Sequence, residues 1–417
     1  MNIAIVGAGI VGVTTAYELA RDGHSVTVFD QRSAAAEEAS FAPGGLIAPG
    51  ALVPWAAPGA AQALSVWGSQ ATLRIGRGLN ASDLGWLRRW RRASRAYAPS
   101  HAPLAPLVAL ERLARYSHQR LQTLSSTLDL QFERSDGTLL LLRTAADAIA
   151  LRPAVQALRD AGIAANEVDA DTARHIEPAL CAATPLAGAL HVPSGEAGNC
   201  RQFALLLRQA AQQLGAQFQF NTTVERIGHT PASVQIRGDA RPQRFDAVVL
   251  CAGVASAALL QPLGLRLPLV ALHGSSISAP LREALHAPYS AVIDARHQVS
   301  IVRLGQRIRV SGGAELGRGS KDAHPNTLRT LYQVLSDWFP GGAQLSGSVQ
   351  EWRGARPALP DGPPVVGASG LPGLWLNLGH GASGWSLACG SARALADTVA
   401  GRSADISLEG LEAQRFS

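Results

Sequence analysis

The chain is poor in charged and aromatic residues. Of its 417 residues, 16% are Asp, Glu, Lys or Arg and 5% are Phe, Trp or Tyr, whereas 47% are hydrophobic. Lys321 is the one lysine, so the net charge of +6 at pH 7 rests on arginine. There is no uninterrupted run of about 20 apolar residues, which a membrane-spanning helix would need. This length and balance predict a globular protein of about two domains with a large core.

Cysteine is also scarce. The four cysteines, Cys181, Cys200, Cys251 and Cys389, lie far apart and form no C-x-x-C pair. The sequence therefore predicts no zinc, iron–sulfur or other metal site, and the expected state is free thiols in a cytoplasmic protein. We expect no signal peptide, because a strand of the fold begins at residue 2.

The first thirty residues say most about function. A strand-like run, Ile3–Val6, leads into a G-x-G-x-x-G turn and then a helix-like segment, Val13–Arg21. A second apolar strand, Val26–Phe29, ends at Asp30. A glycine turn between a strand and a helix, with an acid after the next strand, is typical of a dinucleotide site. The alternative is a glycine-rich turn in an ordinary α/β unit.

The three glycines of this turn have separate tasks. Gly7 makes the tight turn, Gly9 lets a pyrophosphate approach the backbone, and Gly12 lets the helix pack on the strand. The helix N-terminus offers N–H groups and a positive dipole end to the phosphates. Asp30, at about the expected spacing of 20 residues, can bond both ribose hydroxyls. An acid here disfavours NADP but does not separate NAD from FAD.

Three later segments repeat this glycine-rich chemistry. Residues 40–47 contain Pro43 and a glycine pair, and predict either a loop that wraps a cofactor or a surface loop. An apolar strand, Phe245–Cys251, ends in Ala252-Gly253, where backbone can approach a dinucleotide. Near the C-terminus a strand, Leu374–Leu378, precedes a glycine turn and a long helix. A nicotinamide enzyme does not need this second helix N-terminus, whereas a reduced flavin carries negative charge that a helix dipole stabilises.

The middle of the chain alternates helices and strands. Helices are predicted at 107–128, 145–161, 200–214 and 326–338, and most of 267–310 is predicted to be β. Residues 186–192 and 195–198 predict a strand followed by a turn.

One segment has an unusual charge pattern. Asp83 alone opposes its seven arginines, which are Arg74, Arg77, Arg88, Arg89, Arg91, Arg92 and Arg95. A helix over 83–97 would place Trp86 and Trp90 on one face. Such a helix either packs on its own domain with a solvated basic face, or docks on an anionic membrane or a partner protein. We expect no nucleic-acid partner, because nothing else suggests a nucleic-acid module.

Several longer motifs identify a family. The chain resembles the FAD-dependent D-amino-acid dehydrogenases of the small-subunit type, within the glycine-oxidase and D-amino-acid-oxidase group. The resemblance runs from end to end and rests on the motifs Gly7-Ala8-Gly9-Ile10-Val11-Gly12, Pro54-Trp55-Ala56-Ala57-Pro58-Gly59, Trp352-Arg353-Gly354-Ala355-Arg356-Pro357 with Pro360-Asp361-Gly362, Trp375-Leu376-Asn377-Leu378-Gly379-His380-Gly381 and Gly384-Trp385-Ser386-Leu387-Ala388-Cys389-Gly390.

This resemblance implies an α/β (mixed α+β) fold with FAD as cofactor. A discontinuous Rossmann-like FAD-binding domain of the glutathione-reductase type would comprise residues 1–80, 188–265 and 350–417. A substrate domain on a mixed β-sheet would comprise 81–187 and 266–349. The motifs and the resemblance together assign FAD binding to Gly7, Gly9, Ile10, Val11, Gly12, Asp30, Gln31, Arg32, Ser40, Phe41, Gly44, Gly45, Leu46, Val224, Ala252, Gly253, Gly354, Arg356, Gly379, His380, Gly381, Ala382, Ser383, Gly384 and Trp385.

The resemblance also implies a substrate site. Arg356 matches the arginine that pairs with the substrate carboxylate in the oxidases; its alternative role is to hold a buried acid or a turn. His380 is expected to donate a hydrogen bond near the flavin rather than to accept a proton. His273 stands where dehydrogenases carry lysine, and either faces the pocket or is a core histidine. Tyr289 and Trp55 complete the candidate pocket.

The implied reaction transfers a hydride from Cα of a D-amino acid to flavin N5, giving a 2-oxo acid and ammonia, or a cyclic imine. Electrons would pass to a quinone or a partner protein, with peripheral contact to the inner membrane through 84–97. Pro43 and Phe41 depart from the alanine-type pattern and occur in relatives that oxidise secondary amines. A D-hydroxyproline or secondary-amine dehydrogenase subunit, an oxidase and a non-enzymic dinucleotide sensor therefore remain alternatives.

Overall fold

The computed structural model describes residues 1–48, 73–76, 78–96, 105–160, 162–317 and 324–416. Its strands are β1 (Asn2–Val6), β2 (Ser25–Phe29), β3 (Leu46–Ile47), β4 (Leu73–Ile75), β5 (Arg134–Leu142), β6 (Asn166–Val168), β7 (Gly188–Gly198), β8 (Gln217–Gln219), β9 (Val224–His229), β10 (Ala232–Ile236), β11 (Gln243–Arg244), β12 (Ala247–Leu250), β13 (Val270–Pro280), β14 (Ala291–Asp294), β15 (Val299–Leu304), β16 (Arg307–Leu316), β17 (Gln350–Ala358), β18 (Val365–Ala368) and β19 (Leu374–Leu378).

The α-helices in the same part of the chain are α1 (Ile10–Arg21), α2 (Ala81–Ala96), α3 (Ala105–Thr127), α4 (Ala145–Asp160), α5 (Ala170–Ile176), α6 (Cys200–Gln213), α7 (Ser256–Leu260), α8 (Pro325–Trp338) and α9 (Gly384–Val399). None of the described helices is long and apolar enough to cross a membrane.

A six-stranded sheet carries the N-terminal motif. Its order is β18-β19-β12-β1-β2-β8, and every neighbouring pair is parallel except β18 with β19. A parallel sheet whose first turn opens a helix is the Rossmann-like arrangement. The predicted α/β class is therefore confirmed.

A second, mixed sheet has ten strands, running β17-β13-β16-β15-β14-β5-β7-β3, with β4 paired to β16 and β6 to β7. The buried side chains between this sheet and α8 include Trp338 and Leu335. β3, β4, β7 and β17 come from segments that the sequence assigned to the FAD-binding domain, yet they lie in this sheet. The proposed division into two domains stays a prediction.

The predicted turn at 195–198 is wrong, because β7 continues through Gly198. A Cβ on Gly195 would lie 2.2 Å from Thr138 Oγ1, and one on Gly198 would lie 2.8 Å from the Phe132 ring. These glycines therefore allow close packing on neighbouring side chains inside a strand rather than a change of direction.

Most of the arginine-rich segment forms α2, whose tryptophans point inward, whereas Arg74 lies in β4. Trp86 and Trp90 stack with ring centroids 5.9 Å apart, and both are buried beside Leu272 and Ala358. Trp86 Nε1 donates to the Ala358 carbonyl at 3.0 Å. The two tryptophans therefore pack on their own domain, as the first alternative predicts. The basic face of the helix remains at the surface. Arg77 and Tyr97 of this segment lie outside the described residues.

Candidate active site

Residues of the two sheets and of two helix N-termini line one large cavity that is open to solvent. The first turns of α1 and α9 both line it. Neither helix has a side-chain cap from its N-cap residue or an acid in its first turn. Two helix dipoles and their N–H groups thus present positive charge to the same space, as an anionic ligand requires.

The glycine turn before α1 is closely packed. Gly7 has φ +105°, and a Cβ there would lie 2.5 Å from the Cys251 carbonyl oxygen. A Cβ on Gly12 would lie 1.9 Å from the Gly7 oxygen. Around Gly9 the nearest described atom to such a Cβ is Ser40 Oγ at 3.4 Å, so the approach to the backbone stays open. This geometry fits the three tasks that the motif predicts.

Asp30 connects the glycine turn to the end of β2. Its Oδ2 accepts from the Ala8 N–H at 2.6 Å and its Oδ1 accepts from the Arg32 N–H at 2.8 Å. Each carboxylate oxygen has a further lone pair, and Asp30 lines the cavity. The side chain of Arg32 turns away to pair with Glu38.

The 40–47 segment borders the cavity rather than forming a separate surface loop. Ser40 Oγ accepts from the Ile10 N–H at 3.0 Å, which ties the segment to the start of α1. Gly45 has φ +77° and its N-terminal neighbour Gly44 leaves room for Ser300, whose Oγ would lie 2.8 Å from a Cβ on Gly44. Glycine is therefore needed here for close backbone approach.

The second glycine turn places His380 at the start of α9. His380 is buried and lines the cavity, with its Nε2 3.1 Å from Ser391 Oγ. Burial lowers the pKa of His380 to about 3. The ring is therefore neutral at physiological pH.

The cavity holds polar atoms that suit a flavin dinucleotide. Asn377 and Trp385 are residues of the cavity lining, and Asn377 Oδ1 and Trp385 Nε1 are buried without a hydrogen-bond partner among the described residues. Buried polar atoms are normally bonded, so their orphan state points to a polar ligand. With two helix N-termini and Asp30 in the same wall, these residues fit FAD.

Arg356 lies on β17 at the opposite wall. Gly274 faces Gly354 across the β13–β17 ladder, and the Arg356 guanidinium occupies the space above Gly274, where a Cβ would lie 2.4 Å from Cζ. Its Nη1 donates to the Gly313 carbonyl at 3.0 Å, and no described carboxylate pairs with it. Burial lowers its pKa to about 10, so it stays charged at neutral pH.

Most of the predicted site residues line this cavity. The exceptions among the FAD set are Gly12, Arg32, Phe41, Gly354 and Ser383, which lies in a smaller pocket behind Arg356. Of the substrate set, Arg356 lines the cavity but Tyr289 and His273 do not.

Tyr289 is 50% exposed, and its N–H bonds the buried Glu177 carboxylate. The pKa of His273 is lowered by burial and by Arg353. Trp55 lies outside the described residues.

Several lining residues were missed from the sequence, including Trp352, Asn377, Ser275, Ser300, Ser311 and Gln298. Trp352 and Asn377 lie in quoted motifs, and the two-residue period of a strand would have placed Trp352 on the same face as Gly354 and Arg356. The serines of β15 and β16 carry no local signal, because their role depends on the pairing of distant strands. In the described part of the chain, no group of three or more His, Cys, Asp or Glu is placed to hold a metal.

A Rossmann-like sheet, a glycine turn with its ribose acid and a second helix N-terminus at the same cavity define a flavin-dinucleotide oxidoreductase. Residues 2–398 match the model of the family described as FAD dependent oxidoreductase. The chain belongs to this family and its cofactor is FAD.

Known proteins with similar sequences and structures support this assignment. D-amino acid dehydrogenase of Cereibacter sphaeroides is 41% identical over 426 residues, covering 100% of this chain and 95% of the relative. That of Allorhizobium ampelinum is 38% identical, with coverage of 100% and 99%. Glycine oxidase from Geobacillus kaustophilus superposes with a TM-score of 0.77 at 21% identity, covering 99% and 98% of the two chains. The family resemblance found in the sequence is confirmed.

Proposed function

We propose that the enzyme is a D-amino-acid dehydrogenase. One observation carries the proposal: the partly buried Arg356 side chain lines the FAD cavity without a carboxylate partner among the described residues. A planar guanidinium in such a setting is suited to a bidentate pair with a substrate carboxylate. The D configuration and the dehydrogenase class are supported by the names of the curated relatives.

Arg356 acts by positioning. The bond to the Gly313 carbonyl and the contact with Gly274 orient the guanidinium before the substrate arrives. A carboxylate held here fixes the substrate in the part of the cavity bounded by His380 and Gly381. Such positioning removes orientational entropy from the reacting pair and supplies a large share of the rate.

The substrate amine reacts as the neutral base. His380, with its pKa near 3, is too weak a base to take the proton of an ammonium group. The ammonium proton is therefore lost to solvent, and His380 serves as a hydrogen-bonding group beside the flavin. Bound FAD supplies the hydride acceptor at N5. The imine product is hydrolysed to a 2-oxo acid and ammonia, or remains a cyclic imine when the substrate is a cyclic secondary amine.

Anaerobic mixing of the FAD-loaded enzyme with single amino acids tests this reaction. The panel contains D- and L-amino acids, glycine, sarcosine and D-hydroxyproline. We expect D-isomers to bleach the oxidised flavin and L-isomers to leave it unchanged. If no D-isomer bleaches the flavin, the proposal is wrong. Bleaching by sarcosine or D-hydroxyproline alone would favour a secondary-amine dehydrogenase.

We also propose that electrons pass to a quinone or an electron-transfer protein at the cytoplasmic face of the inner membrane. Support comes from the outer face of α2, where Arg88, Arg89, Arg91 and Arg92 are exposed. The inner face packs on Ala358, two residues from Arg356. Because a helix is about 10 Å thick, a surface bound by these arginines would lie close to the substrate site.

Flotation with vesicles tests this contact. We expect binding to vesicles containing phosphatidylglycerol, loss of binding in high salt and weak binding to pure phosphatidylcholine. Changing the four exposed arginines Arg88, Arg89, Arg91 and Arg92 of α2 to Gln should abolish it. Changing Arg226, Arg237, Arg241 and Arg244, four exposed arginines elsewhere, should not, and equal loss in both variants would contradict a specific docking face.

The electron acceptor needs its own assay. Turnover of a D-amino acid with an artificial dye and without hydrogen peroxide is the result expected of a dehydrogenase. Peroxide production would instead identify an oxidase, and amine-dependent bleaching without turnover would identify a missing subunit.

A further inference from the structure

Two side chains of the substrate region lie over a pair of glycines that face each other on neighbouring strands. Gly354 of β17 lies opposite Gly274 of β13. The Arg356 guanidinium covers Gly274, and the indole of Trp352 covers Gly354, where a Cβ would lie 1.8 Å from the ring. Directly opposed residues have Cβ positions about 5 Å apart. The guanidinium and the indole are therefore neighbours on one face, and both line the cavity.

The indole is held by a second aromatic ring. Phe41 stacks on Trp352 with centroids 6.4 Å apart and an interplanar angle of 28°, and the Arg201 guanidinium lies 4.4 Å from the Phe41 centroid. Neither Phe41 nor Arg201 lines the cavity. Phe41, predicted to contact FAD, is therefore placed behind the tryptophan as its support.

Charge is nearly absent from this part of the cavity. The Asp, Glu, Lys, Arg and His residues among its described lining are Asp30, Glu38, Arg356 and His380. Asp30 and Glu38 belong to the ribose end, where they bond Ala8 and Arg32. His380 is neutral.

On the basis of the proposed function, we propose that Trp352 determines specificity: its indole forms the side-chain wall of the substrate pocket and selects amino acids with uncharged, apolar side chains. With the substrate carboxylate on Arg356, the substrate amine and the substrate side chain must contact different groups next to Arg356. The Gly313 carbonyl beside Arg356 can accept a bond from the amine, whereas the indole offers only a donor and an apolar face. An apolar side chain on the indole is stabilised by its burial. A charged one would lose its hydration without gaining a counter-ion among the described lining residues.

Binding of unreactive carboxylates to the FAD-loaded enzyme tests this without turnover. 4-Methylpentanoate and glutarate match the carbon skeletons of leucine and glutamate, and acetate has no side chain. Calorimetry should give at least about tenfold tighter binding for 4-methylpentanoate than for glutarate. Trp352→Ala should weaken 4-methylpentanoate by about tenfold or more and leave acetate unchanged.

Two further variants keep the test decisive. Trp352→Phe should retain the preference, and Trp375→Ala, on β19 and outside the cavity lining, should behave as the unmodified enzyme. Glutarate binding as tightly as 4-methylpentanoate in the unmodified enzyme would overturn the proposal, even if Trp352→Ala does not fold. Equal weakening of acetate and 4-methylpentanoate by Trp352→Ala would also overturn it, because the tryptophan would then only position Arg356.

Flavin reduction separates this inference from the function on which it rests. D-Leucine should reduce the flavin faster than D-glutamate or D-lysine. If a charged D-amino acid is faster, the role of Trp352 is wrong while the dehydrogenase stands. If no D-amino acid reduces the flavin, both proposals are wrong.

Discussion

At the scale of single residues, the cavity is lined by two basic groups in opposite states of charge, a partly buried arginine and a buried histidine. Burial lowers both pKa values, but Arg356 at about 10 stays charged and His380 at about 3 stays neutral. A charged arginine can anchor an anion, whereas a neutral imidazole can donate or accept a hydrogen bond without attracting one. Arg356 is therefore suited to binding the substrate carboxylate, and His380 is suited to a hydrogen bond with the cofactor.

Replacement of Arg356 tests the anchor. Arg356→Lys keeps the charge but loses the planar fork, so the dissociation constant for acetate and the KM for D-amino acids should rise by about tenfold or more. Arg356→Ala should raise them further. The oxidised-flavin spectrum should be unchanged in both variants. An unchanged KM would remove Arg356 from the substrate site.

His380 makes the fold sensitive to acid. The unfolded chain protonates this histidine below its ordinary pKa of 6.5, whereas the folded protein does so only near 3. The free energy of unfolding therefore falls as the pH drops through this window, with a slope of up to about 1.4 kcal/mol per pH unit.

Denaturant unfolding of the FAD-loaded enzyme at several pH values between 4.5 and 7.5 measures that slope. His380→Asn should make the slope shallower than in the unmodified enzyme, whatever the variant costs at pH 7.5. Parallel curves for the two proteins would show that His380 is not the group that remains neutral.

At the scale of elements, the glycine turn and α1 separate folding from cofactor binding. Gly9 has φ −67° and ψ −179°, which any residue can adopt, and an added Cβ meets nothing described closer than 3.4 Å. A Cβ on Gly12 meets backbone oxygen at 1.9 Å. Glycine at position 9 is therefore needed for the approach of the ligand, whereas glycine at position 12 is needed for folding.

Alanine at each position should therefore give a different defect. Gly9→Ala should fold with an unchanged circular dichroism spectrum and a dissociation constant for FAD raised by at least about tenfold, or 1.4 kcal/mol, because the methyl group blocks the pyrophosphate. Gly12→Ala should lose folded protein. Tight FAD binding by Gly9→Ala would place the pyrophosphate elsewhere.

Local patterns in the sequence predicted most elements within a few residues, including β1, α1, β2 and α9, because each has a clear apolar period and a glycine or cap at its end. They did not predict β17. Its sequence contains Gly354 and Pro357, which normally argue against a strand, but β17 is an edge strand where proline is tolerated. The position of the Arg356 guanidinium depends on Gly274 of the facing strand, which no local pattern around Arg356 contains.

At the scale of the whole molecule, one buried ion cluster joins the helices that carry the two cavity-facing N-termini. Arg393 of α9 pairs with Glu18 of α1 at 2.8 Å and with Asp22 just after it. Arg120 of α3 completes the cluster, with its Nε 2.7 Å from Glu18. Glu18 is fully buried, so its carboxylate depends on Arg120 and Arg393, with Arg21 as a more distant third partner at 3.8 Å. The relative position of α1 and α9 at the cofactor therefore depends on charges at their far ends.

Replacement of Arg393 should lower both the free energy of unfolding and the affinity for FAD. Breaking a buried pair leaves an uncompensated charge, so Arg393→Met should lower the free energy of unfolding by about 3–5 kcal/mol. The dissociation constant for FAD should rise with it, because α1 and α9 lose a common anchor. Arg159→Met, which breaks the exposed pair with Glu167, should cost less than about 1 kcal/mol and leave FAD binding unchanged.

The same cluster predicts a second, lower acid transition. Burial raises the pKa of Asp22, but hydrogen bonds and charge from Arg393 and Arg402 outweigh it and hold the pKa below the usual 3.8. The stabilisation is therefore complete above pH 3.8 and is lost as the pH falls below it. Arg393→Met should remove part of this loss, so its free energy of unfolding should approach that of the unmodified enzyme near pH 3. A constant difference between the two proteins from pH 7 to pH 3 would mean that Arg393 acts through packing rather than through charge.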